Sequence, residues 1–114
     1  ISRTEKYVGA GADGIMIHSK DKSPDEILMF AEKFKKKYTN IPLVAVPSSY
    51  NSIKESQLND AGFNIVIYAN QMLRASYPAM RKIAIDILKN GRSYESEKSI
   101  MSISDILKLI PGTK

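Results

Sequence analysis

The sequence predicts an α/β fold of parallel βα repeats, and three observations predict it. Three short apolar runs, at residues 14–17, 43–46 and 65–68, are rich in β-branched residues and bounded by polar punctuation, the pattern of strands buried on both faces. Stretches with helical periodicity and helix-start signals separate them. The connections are short, so this order implies a parallel sheet wound by right-handed crossovers.

The first run, Gly14, Ile15, Met16 and Ile17, leads directly into His18, Ser19 and Lys20. A helix start follows: Ser23 is a capping residue, Pro24 fits the first helical position and Glu26 completes a capping box. Ile27, Ala31, Phe34 and Tyr38 then recur on one helical face, and Asn40 ends the helix. After the second run and its closure by Pro47, Ser48, Ser49 and Tyr50, Ser52 and Glu55 propose another capping box for a short helix to Ala61, with Gly62 as its C-terminal stop. The third run ends in Ala69 and Asn70. A long amphipathic helix is expected over Gln71–Asn90, stopped by Gly91 and kinked or split near Ser76 and Tyr77 by Pro78. A polar loop over 92–99 leads to a last helix, capped by Ser104, carrying Ile103, Ile106, Leu107 and Ile110, and ended by Pro111 and Gly112.

Residues 1–5 look like the end of a further strand, with Arg3 and Glu5 in polar positions. Residues 7–13 look like a helix tail and its glycine stop. Too few residues separate residue 5 from the run at 14 for a parallel crossover, which needs a dozen or more. The expectation is therefore a missing crossover helix between about residues 5 and 7, in a chain that is part of something larger.

With 114 residues, 43% hydrophobic and 25% charged, the chain carries one domain's worth of core. No stretch approaches the ~18 apolar residues of a membrane span, so a soluble, cytoplasmic protein without a membrane partner is expected. The absence of cysteine excludes thiolate metal sites, disulfides and thiol nucleophiles. Much of the net charge of +5 lies in Lys33, Lys35, Lys36 and Lys37 near a helix end, where cations complement the dipole. No arginine stripe interleaves with aromatics, which argues against nucleic acid.

His18 is the only histidine. In parallel α/β folds ligands bind at the carboxyl ends of strands, and the three strand ends at His18, Pro47 and Ala69 fall on one rim. The competing reading is a hydrogen-bonded surface imidazole. Asp21, Asp25 and Glu26 read as helix-start residues, and Ser19 and Ser48 as strand-end residues that more often cap backbone than touch a ligand.

Seven stretches in order resemble the carboxyl half of the phosphoenolpyruvate mutase family, in the isocitrate lyase superfamily of (β/α)8 barrels. They are Ser2-Arg3-Thr4-Glu5; Gly11-Ala12-Asp13-Gly14 leading to Ile17-His18-Ser19-Lys20; Ser23-Pro24-Asp25-Glu26-Ile27; Leu43-Val44-Ala45-Val46-Pro47-Ser48; Val66-Ile67-Tyr68-Ala69-Asn70; Leu73-Arg74-Ala75; and Ser102-Ile103-Ser104-Asp105-Ile106. Gln71 and Ser48 depart from it, standing where the family often has histidine and threonine.

The resemblance implies that residues 1–114 are one partial domain, strands five to eight of a TIM-type barrel. It implies phosphoryl migration between oxygen and carbon of an enolpyruvate, phosphoenolpyruvate and phosphonopyruvate being the small anionic substrates. Arg3 then binds the anion, His18 stabilises the transferring phosphoryl group, and Ser19 is a weaker substrate-binding candidate. Mg2+ is the implied cofactor, with ligands upstream of residue 1 and none in this chain, which alone should be inactive. The terminal helix, residues 100–112, is expected to exchange with a neighbouring subunit in a dimer or tetramer. The alternatives are phosphonopyruvate hydrolase, another superfamily member, a non-catalytic receiver-like domain, and a half barrel kept for assembly.

Overall fold

The computed structural model describes residues 1–110 and 112. They form two compact units, divided between Asn70 and Gln71.

The first unit carries β1 (Ile15–Ile17), β2 (Leu43–Ala45) and β3 (Ile65–Val66) in a parallel sheet of order β1-β2-β3. Ile15 pairs with Leu43 and Val44 with Ile65, so all three carboxyl ends share the expected rim. Ladder bonds continue past β3, where the Ile67 amide donates to the Ala45 carbonyl at 2.9 Å. Three helices belong to this unit: α1 (Ser2–Gly9), α2 (Asp25–Lys37) and α3 (Glu55–Asp60).

The core is built on one sheet face. Ile15, Leu43 and Ala45 meet Ile27, Ala31 and Phe34 of α2, Leu58 of α3, and Tyr50 and Phe63 from the loops. The predicted α2 stripe is thus the buried one, with Phe34 against Phe30 at 5.6 Å and against Tyr38 at 5.0 Å between ring centroids. The opposite face differs from the expectation of strands covered twice. Met16, Val44 and Ile65 stand in register across it, and Met16 is 64% and Ile65 50% exposed. The α2–α3 layer covers one side only, leaving an apolar row open on the other.

Residues 1–5 are the principal correction. Residues 2–5 are helical, not a strand, and open α1 behind Ile1 at its N-cap. Joined directly to Tyr7 and Val8, they continue that helix, because residue 5 to β1 is too short a span for strand plus crossover. Thr4 is buried, Val8 packs on the core, and Glu5 accepts from Lys37 Nζ at 2.8 Å. The pair lowers the Glu5 pKa and raises that of Lys37, chiefly through their hydrogen bond. The predicted glycine stop is present: Gly11 has φ +96° and its amide donates to the Val8 carbonyl. The fourth strand is therefore absent among the described residues, and three strands stand where about four were expected.

Two caps in this unit differ from expectation. Ser23 Oγ accepts from the Asp25 amide at 3.3 Å, but Glu26 turns to Ser19 instead of closing a box. At α3 the box runs from the Lys54 amide to Gln57 Oε1 at 3.1 Å, while Glu55 accepts from Tyr68 Oη at 2.7 Å. Gly62 does end α3, with φ +96°.

In the second unit, α4 (Gln71–Asn90) is one uninterrupted helix despite Pro78. Its exposed surface lets water satisfy the carbonyl that Pro78 leaves without a donor, and Ser76 Oγ donates to the Leu73 carbonyl at 3.3 Å. A 3₁₀ helix at Tyr94–Ser99 replaces the expected loop, and Arg92 pairs with Glu95 beside it. Ser102, not Ser104, caps α5 (Ile103–Lys108), accepting from the Asp105 amide at 3.2 Å. The expected stop at Pro111 lies outside the described residues. No described helix is long and apolar enough to cross a membrane.

Candidate anion-binding groove

The end of β1 delivers His18 to the rim because the strand stops at Ile17 and the chain turns at Ser19. Ser19 is buried, its hydroxyl donating to Glu26 Oε2 and accepting from the Asp21 amide at 3.1 Å. That turn fixes the backbone on which His18 stands, and the imidazole itself remains exposed.

Since β1 is an edge strand, its free side is open, and a groove of about 670 Å³ follows it. Arg3, Thr4 and Tyr7 of α1 form one wall, and residues 14–18 the other, with Ala10, Gly11 and Ala12 at the turn between them. Arg3 and His18 therefore border the same cavity, although Arg3 arrives from a helix and not from a strand end. No carboxylate lines it. Arg3 takes part in no ion pair among the described residues. A free guanidinium in a groove without carboxylates attracts anions, and its planar fork suits paired phosphoryl or carboxylate oxygens. An imidazole lining the same groove supplies a hydrogen-bond donor when protonated at the nitrogen that faces a ligand.

Ser19 is not among the residues lining the groove, and its hydroxyl is committed within the turn. Asp25 is likewise engaged, accepting from Ser23 Oγ at 2.6 Å. Among the described residues no three His, Cys, Asp or Glu side chains cluster to hold a metal. With Glu26 and Asp25 already bonded to serines, these residues do not fit a magnesium site.

Tyr50 is the rim residue that sequence reasoning passed over. It is fully buried, its hydroxyl accepts from the Val46 amide at 3.3 Å, and its ring lies 6.3 Å from that of His18. Burial raises its phenol pKa, the Val46 bond acting in the opposite sense. The available signal was its position, an aromatic closing a strand-end loop.

A family model described as phosphoenolpyruvate phosphomutase matches residues 1–88. A phosphonopyruvate hydrolase from Variovorax sp. (strain Pal2) is 36% identical over 110 residues, covering 96% of this chain and 37% of the relative. The crystal structure of a phosphoenolpyruvate phosphomutase from Streptomyces platensis subsp. rosaceus superposes with a TM-score of 0.83 at 36% identity, covering 95% of this chain and 37% of that one. A phosphonopyruvate hydrolase complexed with oxalate and Mg2+ superposes at 0.78 with 37% identity, covering 95% and 38%. The chain thus spans little more than a third of the length of these relatives. Through the matched model, which takes in α1, the whole sheet and most of α4, the chain belongs to the phosphoenolpyruvate phosphomutase family of the isocitrate lyase superfamily.

Proposed function

We propose that the protein containing this chain is a phosphoenolpyruvate mutase, and that the chain supplies one wall of its substrate site. The carrying observation is the shared groove: Arg3 and His18 border it and no acidic side chain does. The reaction is an isomerisation in which the bond from phosphorus to the enol oxygen breaks and one to carbon forms, giving phosphonopyruvate. Arg3 holds the dianionic or carboxylate end by two parallel hydrogen bonds. His18 donates to the migrating group, whose charge spreads over its equatorial oxygens. Ser19 serves by fixing the turn that aims His18.

A relative carries Mg2+ with oxalate, an anion with two carboxylates. Magnesium is proposed for this protein too, held by residues outside this segment, since the present side chains offer no donor set. The strands expected to complete a barrel belong to the same proposal. Assembly as a dimer or tetramer through the stripe of α5, exchanged between subunits, completes it.

Phosphonopyruvate hydrolase is the second reading, favoured by the 36% identity to the Variovorax enzyme. There water accepts the phosphoryl group. Incubating the protein from its complete reading frame with phosphonopyruvate and Mg2+ separates the two by 31P NMR. Phosphoenolpyruvate is the expected product. Phosphate with pyruvate indicates the hydrolase, and an unchanged substrate refutes both. In the active protein His18→Ala is expected to lower the rate ~10²-fold, as loss of an electrostatic stabiliser does. An unaffected rate would return His18 to a surface role.

A further inference from the structure

We infer that Tyr50 is a positioning residue for His18, an inference that rests on the proposed role of His18 at the transferring group. The turn at Ser19 fixes the backbone of His18 but leaves its side-chain torsions open. Those torsions are set by what the ring meets, and among the described residues it meets the Tyr50 ring. The centroids are 6.3 Å apart with the planes tilted by 48°, inside the range in which aromatic pairs attract by their edges and faces.

Tyr50 is a rigid wall for that purpose. Its side chain has no exposed surface, and its hydroxyl accepts from the Val46 amide at 3.3 Å. Val46 is the first residue past β2, so this bond ties the rim loop back to the sheet end. Tyr50 does not line the groove. It therefore acts through His18 and not on a ligand, giving the imidazole of a groove-lining residue a fixed surface to pack against.

The test uses the protein from its complete reading frame, with kcat and KM for phosphonopyruvate measured for wild type, Y50L, H18A and the double variant. The ring-proton resonances of His18, assigned by their disappearance in H18A, are followed alongside. Y50L is expected to lower kcat ~10-fold or more, since a misplaced group costs up to ~10²-fold, while KM stays within about twofold. In the H18A background the same substitution should cost nothing further, because Tyr50 then has no ring to position. The His18 resonances should move in Y50L, through loss of the neighbouring ring and of a single side-chain orientation.

A full Y50L penalty persisting in H18A overturns the inference, as do His18 resonances that coincide in wild type and Y50L. Where Y50L does not accumulate folded, Y50F keeps the wall and loses only the Val46 acceptor. It should then show a few-fold fall in kcat that vanishes in H18A, and a fall that persists counts against the role. A wild type without turnover removes the functional reading instead. The resonances then decide alone: displacement in the variant upholds the contact, and coincidence overturns it.

Discussion

At the scale of single residues, Arg3 and His18 depend on different supports. His18 stands on a strand end and a bonded turn, whereas Arg3 stands on the first turn of α1, which the Glu5–Lys37 pair and buried Thr4 hold to the unit. Arg3→Lys in the active protein should reduce kcat/KM by roughly tenfold or more, because an ammonium cannot reproduce a bidentate fork. Near-normal kinetics would count against Arg3 as an anion ligand. Acid should weaken the support of Arg3. The Glu5 pKa is lowered in the fold, so the pair contributes above the unfolded carboxyl value and is lost as pH falls through the folded one. Alkali should act on Tyr50. Its phenol pKa is raised by burial, so this stabilisation is complete below the unfolded value of about 10 and is lost as pH rises through the folded one. Thermal melts at rising alkaline pH should therefore fall more steeply for wild type than for Y50F. Parallel curves would show that the phenol is not desolvated.

At the scale of elements, what was legible in the sequence was what local pattern decides. The apolar runs around Ile15, Leu43 and Ile65 are strands, the stripe from Ile27 to Phe34 is the buried face of α2, and Gly11, Gly62 and Gly91 stop helices with positive φ. What failed was decided by partners. Residues 1–5 carry a strand-like pattern, yet the helical residues joined to them set their conformation. Glu26 and Glu55 sit at capping-box spacing, but Ser19 and Tyr68 compete for their carboxylates and win. Tyr50 was invisible as a site residue because its contact with His18 joins the ends of two strands. Of the groove residues, His18 was legible from its place at a strand end and Arg3 by resemblance, although the element carrying Arg3 was not.

Two substitutions test the element-level account. Gly62→Ala should destabilise the first unit by more than ~1 kcal/mol. The position has φ +96°, and a Cβ would lie 2.9 Å from Lys35 Cγ. That stem has little room to yield, since Lys35 Nζ is bonded to the Ile41 carbonyl at 3.0 Å and to Asn64 Oδ1 at 3.3 Å. Pro78→Ala should do the reverse for α4, raising helical content and melting temperature, since interior proline costs a helix ~3 kcal/mol relative to alanine. Urea melts followed by circular dichroism check both. A P78A variant no more stable than wild type would mean that proline is offset by contacts the exposed helix does not display.

At the scale of the molecule, the dominant fact is incompleteness of burial. One sheet face shows Met16, Ile65 and Ile67 largely exposed, and both β1 and β3 keep an open edge. Such edges and faces invite association, and in relatives nearly three times as long the additional chain is available to cover them. The 114 residues expressed alone should therefore bind hydrophobic dyes and self-associate, as light scattering would show. A monodisperse monomer without dye binding would argue that the face is tolerated. Family membership also removes the receiver-like reading, whose paired acids have no counterpart at the groove.

The central claim is that one anion bridges Arg3 and His18, and the ring resonances of His18, assigned by their disappearance in H18A, allow it to be observed directly. The measurement is the His18 ring resonances of the protein from its complete reading frame, titrated with phosphonopyruvate and Mg2+ in wild type and in Arg3→Ala. A saturable displacement in the wild type, lost or weakened at least tenfold in affinity in the variant, is the predicted result. Resonances indifferent to the ligand, or displaced equally without the guanidinium, would contradict the account.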